Sequence, residues 1–224
     1  MIQIKNAAEL QKMRKACAIS AAALKAGGEA IEPGITTAEI DKIIYDFIVR
    51  HGARPNFLHL YGFPATACIS VNDTVIHGIP NKQQQIRPGD IVSIDTGCKI
   101  DGFNGDNACT YACGKIDLEA QRLLDVTKES LHRGIEMACG GNRVGDIGHA
   151  VQSYVEENGF SVVRSFVGHG VGKELHEDPE VPHFGNAGRG PRLVPGMCIA
   201  VEPMVCQYKY AVKTLKDGWT VKTC

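Results

Sequence analysis

Four side chains in this sequence have the types and the settings to hold metal ions: Asp95, Asp106, His169 and Glu202. Hard divalent ions such as Mn²⁺, Fe²⁺ or Co²⁺ accept carboxylate oxygens together with an imidazole, and a pair of ions needs carboxylates able to bridge them. In Val167-Gly-His-Gly-Val-Gly-Lys-Glu-Leu-His176 glycines flank the first histidine and leave its ring unobstructed, while His176 follows seven residues later. His77 stands where Val75-Ile-His77 meets Gly78-Ile-Pro80. Taken singly, each has a structural reading: Asp95 as a strand-end or turn residue, Asp106 as part of an Asn104-Gly-Asp-Asn107 turn, His169 as a surface loop histidine, Glu202 as a solvated strand end before Pro203. What sets Asp95 and Glu202 apart from these readings is an internal repeat.

Arg87-Pro-Gly-Asp-Ile-Val-Ser-Ile-Asp-Thr-Gly97 returns as Val194-Pro-Gly-Met-Cys-Ile-Ala-Val-Glu202, with Glu202 answering Asp95 at a constant offset of 107 residues. The offset also relates Ile40 to Ile147, Ile44 to Val151, Phe47 to Tyr154 and Gly52 to Gly159. A repeat of that length is too long for a solenoid unit and predicts a duplicated α/β half, with copies at about 30–113 and 137–224 folded as one domain. A Pro-Gly turn should launch a buried strand that delivers Asp95 at its end, a Gly-rich turn should bring Asp106 back, and Glu202 should end the repeated strand.

The elements around these strands follow from periodicity and punctuation. The pattern predicts a helix over Ala7–Ala26 stopped by Gly27-Gly28, with Leu10, Met13, Cys17 and Leu24 at helical spacing, and a second from Thr36 with Glu39 as a capping box. Arg54–Pro64 reads as an apolar-rich loop, core cover or substrate wall, and Thr66–Val71 as a strand turned by Asn72-Asp73. Asp117 should cap a helix running to Met137 with Leu124, Leu131 and Ile135 inward, followed by a helix over Val144–Glu157 and a strand over Phe160–Arg164. Tyr210–Thr214, a Lys216-Asp-Gly218 turn and a strand from Trp219 complete the chain.

Composition narrows the class. With 224 residues, 44% hydrophobic, the chain buries a good core, and a net charge of −1 without long basic runs argues against nucleic acid and anionic lipid as partners. Nine cysteines, an odd number without CxxC spacing, fit reduced thiols in a cytoplasm. Lys12, Arg14 and Lys15 ahead of an Ala-rich run imitate a signal peptide, but the helical spacing favours a folded helix, and no segment reaches membrane-spanning length. Asp95-Thr-Gly97 matches the aspartic-protease triplet without a matching second triplet, since the repeat partner is Glu202-Pro203. Gly168-His-Gly-Val-Gly172 is not GxGxxG, HExxH is absent, and Cys109 and Cys113 make a poor zinc site.

Val75-Ile-His-Gly-Ile-Pro80, Gly89–Asp95, Asp101-Gly-Phe-Asn-Gly-Asp106, Gly168–Gly172, His176-Glu-Asp-Pro179, Pro195-Gly-Met197, Val201-Glu-Pro-Met204 and Lys216–Thr223 together resemble the type I methionine aminopeptidases. The match runs in order from the first helix to the last residue. The resemblance implies an α+β pita-bread (creatinase/aminopeptidase) fold, with pseudo-twofold halves, a central antiparallel sheet and outer helices. It also implies two divalent ions (Co²⁺, Mn²⁺, Fe²⁺ or Zn²⁺) between the halves, Asp95 and Asp106 on one, Asp106 bridging to a second held by His169 and Glu202. The implied reaction is hydrolysis of an N-terminal methionine before a small second residue by an activated water. His77 would contact the scissile-bond nitrogen and His176 the carbonyl oxygen, while Phe63, Cys68, Leu175 and Trp219 would line the methionine pocket. Nascent polypeptide N-termini met at the ribosome, a monomer and a cytoplasmic location are implied as well. The family carries a fifth ligand, a glutamate on a strand beyond Asp-Gly-Trp-Thr, whereas this sequence ends at Cys224; a C-terminally truncated chain with impaired metal occupancy and turnover is the expectation. Asp217, in a tight turn, is a poor substitute. A non-catalytic pita-bread binding protein and a prolidase-like metallopeptidase are the alternative readings.

Overall fold

The computed structural model describes residues 1–224. In chain order the elements are α1 (Ala7–Glu29), α2 (Thr37–Arg50), β1 (Arg54–Pro55), a 3₁₀ turn (Leu60–Gly62), β2 (Ala67–Val71), β3 (Thr74–Ile76), β4 (Ile91–Ile100) and β5 (Phe103–Ala112). They continue with α3 (Leu118–Met137), α4 (Val144–Glu157), β6 (Ser161–Val162), β7 (Gly168–Gly170), β8 (Glu177–Val181), β9 (Val205–Cys206), β10 (Val212–Thr214) and β11 (Val221–Thr223). Two compact units result: an N-terminal unit of Ala8–Asp117 with Lys213–Lys222, and a C-terminal unit of Met1–Ala7, Leu118–Val212 and Thr223–Cys224. No helix is long and apolar enough to cross a membrane.

The N-terminal unit is built on the β4–β5 hairpin, joined through a two-residue turn in which Asp101 and Gly102 both take positive φ. β5 pairs along one side of β4, and β1 and β2 pair with successive stretches of it. Because side chains alternate along a strand, Ile94, Thr96 and Cys98 share one face. Against it lies α1, where Ser20 Oγ donates to the Thr96 carbonyl at 3.0 Å and Cys98 Sγ to the Ala16 carbonyl at 3.4 Å. Gly105 allows that approach: a Cβ there would stand 2.4 Å from the Ala16 carbonyl carbon. α1 does not stop at its glycine pair. It runs to Glu29 because the glycines admit neighbours: a Cβ on Gly27 would meet Ile44 at 2.7 Å, and one on Gly28 the Tyr111 ring at 2.2 Å.

α2 starts as the sequence predicts, with Thr36 and Glu39 exchanging the two capping-box hydrogen bonds. Ile40, Ile44 and Ile48 are fully buried beside Ile69, Val92 and Ile94, each such side chain contributing on the order of 1.5–3 kcal/mol. From its polar edge Asp41 Oδ1 accepts the amides of Thr66 (2.9 Å) and Ala67 (2.8 Å), fixing where β2 begins. Asp41→Ala strands both N–H groups, and the expected loss of about 1–3 kcal/mol shows as a lower urea midpoint at unchanged m.

In the C-terminal unit the repeat reappears in hydrogen bonds as well as letters. α2 and α4 are both 14 residues long, and the buried set Ile40, Ile44, Ile48 recurs as Ile147, Val151, Val155. Gly34 N donates to Ile86 O and Gly141 N to Leu193 O; the bridge Thr36–Gln85 recurs as Arg143–Arg192. α3 departs from expectation. Its buried line is Val126, Ser130 and Gly134, whereas Leu124 and Leu131 are half-buried and Ile135 is 49% exposed. Small residues carry the contact because the helices pack closely: a Cβ on Gly134 would lie 2.8 Å from Val151 Cγ2.

Beyond α4, β6 pairs with β9 and β7 with β8, and β6 is shorter than the predicted Phe160–Arg164 strand. The first residues of the chain are held here. Lys5 N donates to Gly196 O (2.8 Å), and its ammonium makes a buried ion pair with Glu177 Oε2 (2.6 Å).

Candidate metal centre

Asp95 sits in the middle of β4 and Asp106 in the middle of β5, rather than at strand ends, because the hairpin runs on to Ile100 and Phe103. Asn104-Gly-Asp-Asn107 is strand, not turn. Register still brings the two acids to one face: Asp95 lies opposite Cys68 on β2, and Asp106 lies opposite Gly97, two residues along from Asp95. That face is the one turned away from Ile94, Thr96 and Cys98. Both carboxylates bear on Cys68: burial first, then the charges of Asp95, Asp106 and Asp41, push its thiol well above its ordinary pKa.

His77 follows β3 with a φ of +57°, a backbone state that costs a non-glycine residue free energy. It is pinned by Gly78, whose amide donates to Ser70 Oγ and whose carbonyl accepts from Ile69 N; a Cβ on Gly78 would stand 2.3 Å from Ile69 O. Pairing of β3 with β11 brings Trp219 alongside. Its ring is edge-on to Phe63 (5.1 Å between centroids) and to His77 (6.4 Å). Asp217 accepts from Trp219 N, Thr220 N and Thr220 Oγ1, so its carboxylate is a turn residue held below its ordinary pKa chiefly by the Thr220 hydroxyl.

His169 lies on β7, not in a loop. Its flanking glycines are demanded by backbone on both sides: a Cβ on Gly168 would be 2.3 Å from Ala200 O, and one on Gly170 would be 2.1 Å from Asp178 O. The segment carrying Glu202 is likewise not the strand expected from the repeat. It runs beside β7 through Ala200 N to His169 O (2.7 Å) and Val171 N to Cys198 O (3.0 Å), then leaves, because the Glu202 amide goes to the ring of His183. His169 Nδ1 must donate to the Gly170 carbonyl (2.8 Å), since a carbonyl only accepts, which turns Nε2 toward Glu202 Oε1 at 3.4 Å. His176 stands edge-on to His169, centroids 4.5 Å apart, and Leu175 is buried.

These donors fit a divalent cation. An imidazole whose far nitrogen is tied to a backbone carbonyl is oriented to ligate a cation through its other nitrogen, and here that nitrogen lies 3.4 Å from a carboxylate oxygen, the second donor type such an ion takes. No three His, Cys, Asp and Glu side chains form a closed cage by themselves. The structure instead shows a carboxylate pair on the β4–β5 face and an imidazole–carboxylate pair at β7. His183 is the residue sequence reasoning passed over. It is 1% exposed, burial holds its ring down to a pKa of about 4, and nothing in Val181-Pro-His-Phe184 distinguishes it from a core histidine.

The sequence model of metallopeptidase family M24 matches residues 11–222. The chain belongs to metallopeptidase family M24. It is 54% identical to the methionine aminopeptidase of Clostridium perfringens, over 100% of this chain and 89% of that protein. Among M24 structures, the methionine aminopeptidase of Thermotoga maritima superposes with a TM-score of 0.98 at 41% identity, covering 100% of this chain and 90% of that one. The prolidase of Pyrococcus horikoshii gives 0.77 at 25% identity, covering 89% of this chain and 55% of that one. The fold is the pita-bread fold of the M24 family, with its antiparallel sheets and mixed helix content.

Proposed function

We propose that this chain removes the initiator methionine from nascent proteins and peptides, preferring a small second residue. The observation that carries the reading is the His169 ring, oriented by the Gly170 carbonyl so that Nε2 meets Glu202, in a chain 54% identical over 223 residues to a methionine aminopeptidase. Asp95, Asp106, His169 and Glu202 are the side chains proposed to hold two ions, drawn from Co²⁺, Mn²⁺, Fe²⁺ and Zn²⁺. Bound divalent ions supply an activated water and polarise the scissile carbonyl.

The remaining roles belong to the chain's own groups. His77, held at its strained backbone angle, contacts the scissile-bond nitrogen, and His176 donates to the carbonyl oxygen as it becomes tetrahedral. Phe63, Cys68, Leu175 and Trp219 receive the methionine side chain; all but the half-buried Trp219 are buried, and apolar walls suit an unbranched thioether. The substrates are polypeptide N-termini emerging from the ribosome, and the chain works as a cytoplasmic monomer.

With Mn²⁺ or Co²⁺ added, Met-Ala-Ser releases free methionine and Leu-Pro is left intact. Hydrolysis of Leu-Pro with Met-Ala-Ser untouched would move the assignment to a prolidase. Failure of the protein to retain any divalent ion would favour a binding protein.

A further inference from the structure

We infer that His183 is a positioning residue for the His169–Glu202 pair, and through it for metal affinity. This inference rests on the metal-binding reading above. The ring is fully buried and touches backbone beside both partners: Nε2 accepts the Glu202 amide at 2.9 Å, and Cε1 lies 3.3 Å from where a Cβ of Gly168 would be. An acceptor at Nε2 requires the proton on Nδ1, so a single tautomer serves this contact.

Rigid structure stands behind the ring. α4 carries Gly148, whose absent side chain lets the Pro182 carbonyl come within 2.5 Å and the Phe184 amide within 3.0 Å of the Cβ position. Further along the same loop, Gly185 N donates to Gln152 Oε1, Gly188 N to Asp146 Oδ1 and Gly145 N to Arg189 O. The backbone around His183 is thereby fixed to a helix, and the imidazole transmits that position to Glu202. A hydrogen bond that turns the Glu202 segment away from its ladder with β7 sets where the carboxylate starts, and hence the 3.4 Å approach to His169 Nε2. Neighbours that orient metal ligands are worth about 10–100-fold in metal affinity when removed.

The test compares His183→Phe, which keeps a ring but removes the acceptor, with His183→Gln, which keeps an acceptor on a flexible chain. Mn²⁺ binding is measured by titration calorimetry, with melting temperature of the metal-free protein and kcat and KM at saturating Mn²⁺ alongside. His183→Phe should weaken Mn²⁺ binding about 10–100-fold, and His183→Gln should recover most of that loss, with KM for Met-Ala-Ser moving less than Mn²⁺ affinity in both. Equal weakening by both variants, or wild-type affinity in a folded His183→Phe, overturns the inference and leaves the enzyme assignment standing. A wild-type protein that binds no Mn²⁺ sinks the metal reading itself. Should His183→Phe fail to fold, ¹⁵N spectra of the wild-type ring decide: the Nδ1–H tautomer with Nε2 coupled to the Glu202 amide supports the inference, and the Nε2–H tautomer overturns it.

Discussion

Asp106→Asn lowers kcat/KM toward Met-Ala-Ser by at least about 10³-fold while leaving the far-ultraviolet circular dichroism unchanged. The substitution keeps the shape of the side chain and its place in β5, opposite Gly97, and removes one negative charge from the face it shares with Asp95. A metal's charge stabilisation of a peptide-bond transition state is worth several kcal/mol, and each 1.36 kcal/mol is tenfold in rate. Losing it therefore costs about three decades or more. Asp101→Asn, five residues away at the exposed hairpin turn and paired with Lys15, is the control, with an expected effect of about 1 kcal/mol at most. A decline under tenfold for Asp106→Asn at saturating Mn²⁺ would remove that residue from the metal centre.

Gly170→Ala is the second severe change, and its effect is steric. The new methyl would lie 2.1 Å from Asp178 O, 2.7 Å from Asp178 C and 2.9 Å from Glu177 O, all backbone atoms, so β7 and β8 must part. Forcing a methyl into packed structure costs about 1–3 kcal/mol. The displaced strand bears His169 and adjoins the segment of His176, and a shift near 1 Å at reacting groups is worth about 10²-fold in rate. Reduced kcat/KM, weaker Mn²⁺ binding and a lower melting temperature are expected together. Gly140→Ala, where the nearest atom is a Pro195 side-chain carbon at 3.8 Å, should change none of them.

The contrast between these glycines explains what could be read from the sequence and what could not. The repeat, both 14-residue helices, the capping box and the convergence of Asp95 with Asp106 were legible because each is a local pattern or a fixed spacing. Errors arose where tertiary proximity overrode local punctuation. Gly27-Gly28 reads as a helix stop until Ile44 and Tyr111 are seen pressing on it, and α3 buries Ser130 and Gly134 while exposing Ile135, against any ranking by hydrophobicity. Asp95 reads as a strand end because a Gly-rich turn is expected between it and Asp106, yet the strand runs on to Ile100 and Gly97 is there to admit Asn56, whose Oδ1 would come within 2.4 Å of a Cβ. The repeat predicts a strand at Glu202 by analogy with Asp95, and only the His183 ring, 19 residues away, shows why its ladder breaks.

The ion pair of Lys5 with Glu177 fixes an order of events during synthesis. Lys5 leaves the ribosome well ahead of its partner, which is 172 residues downstream, and ahead of Gly196, whose carbonyl receives its amide. At translation rates of about 5–20 residues per second, roughly 10–40 s pass before that segment emerges. Until then Lys5 lacks both of these partners, so the C-terminal unit is completed by a segment synthesised long before the rest of it. Fusions placed ahead of Met1 should therefore slow its assembly more than they disturb the β4–β5 hairpin, whose strands meet across only two residues.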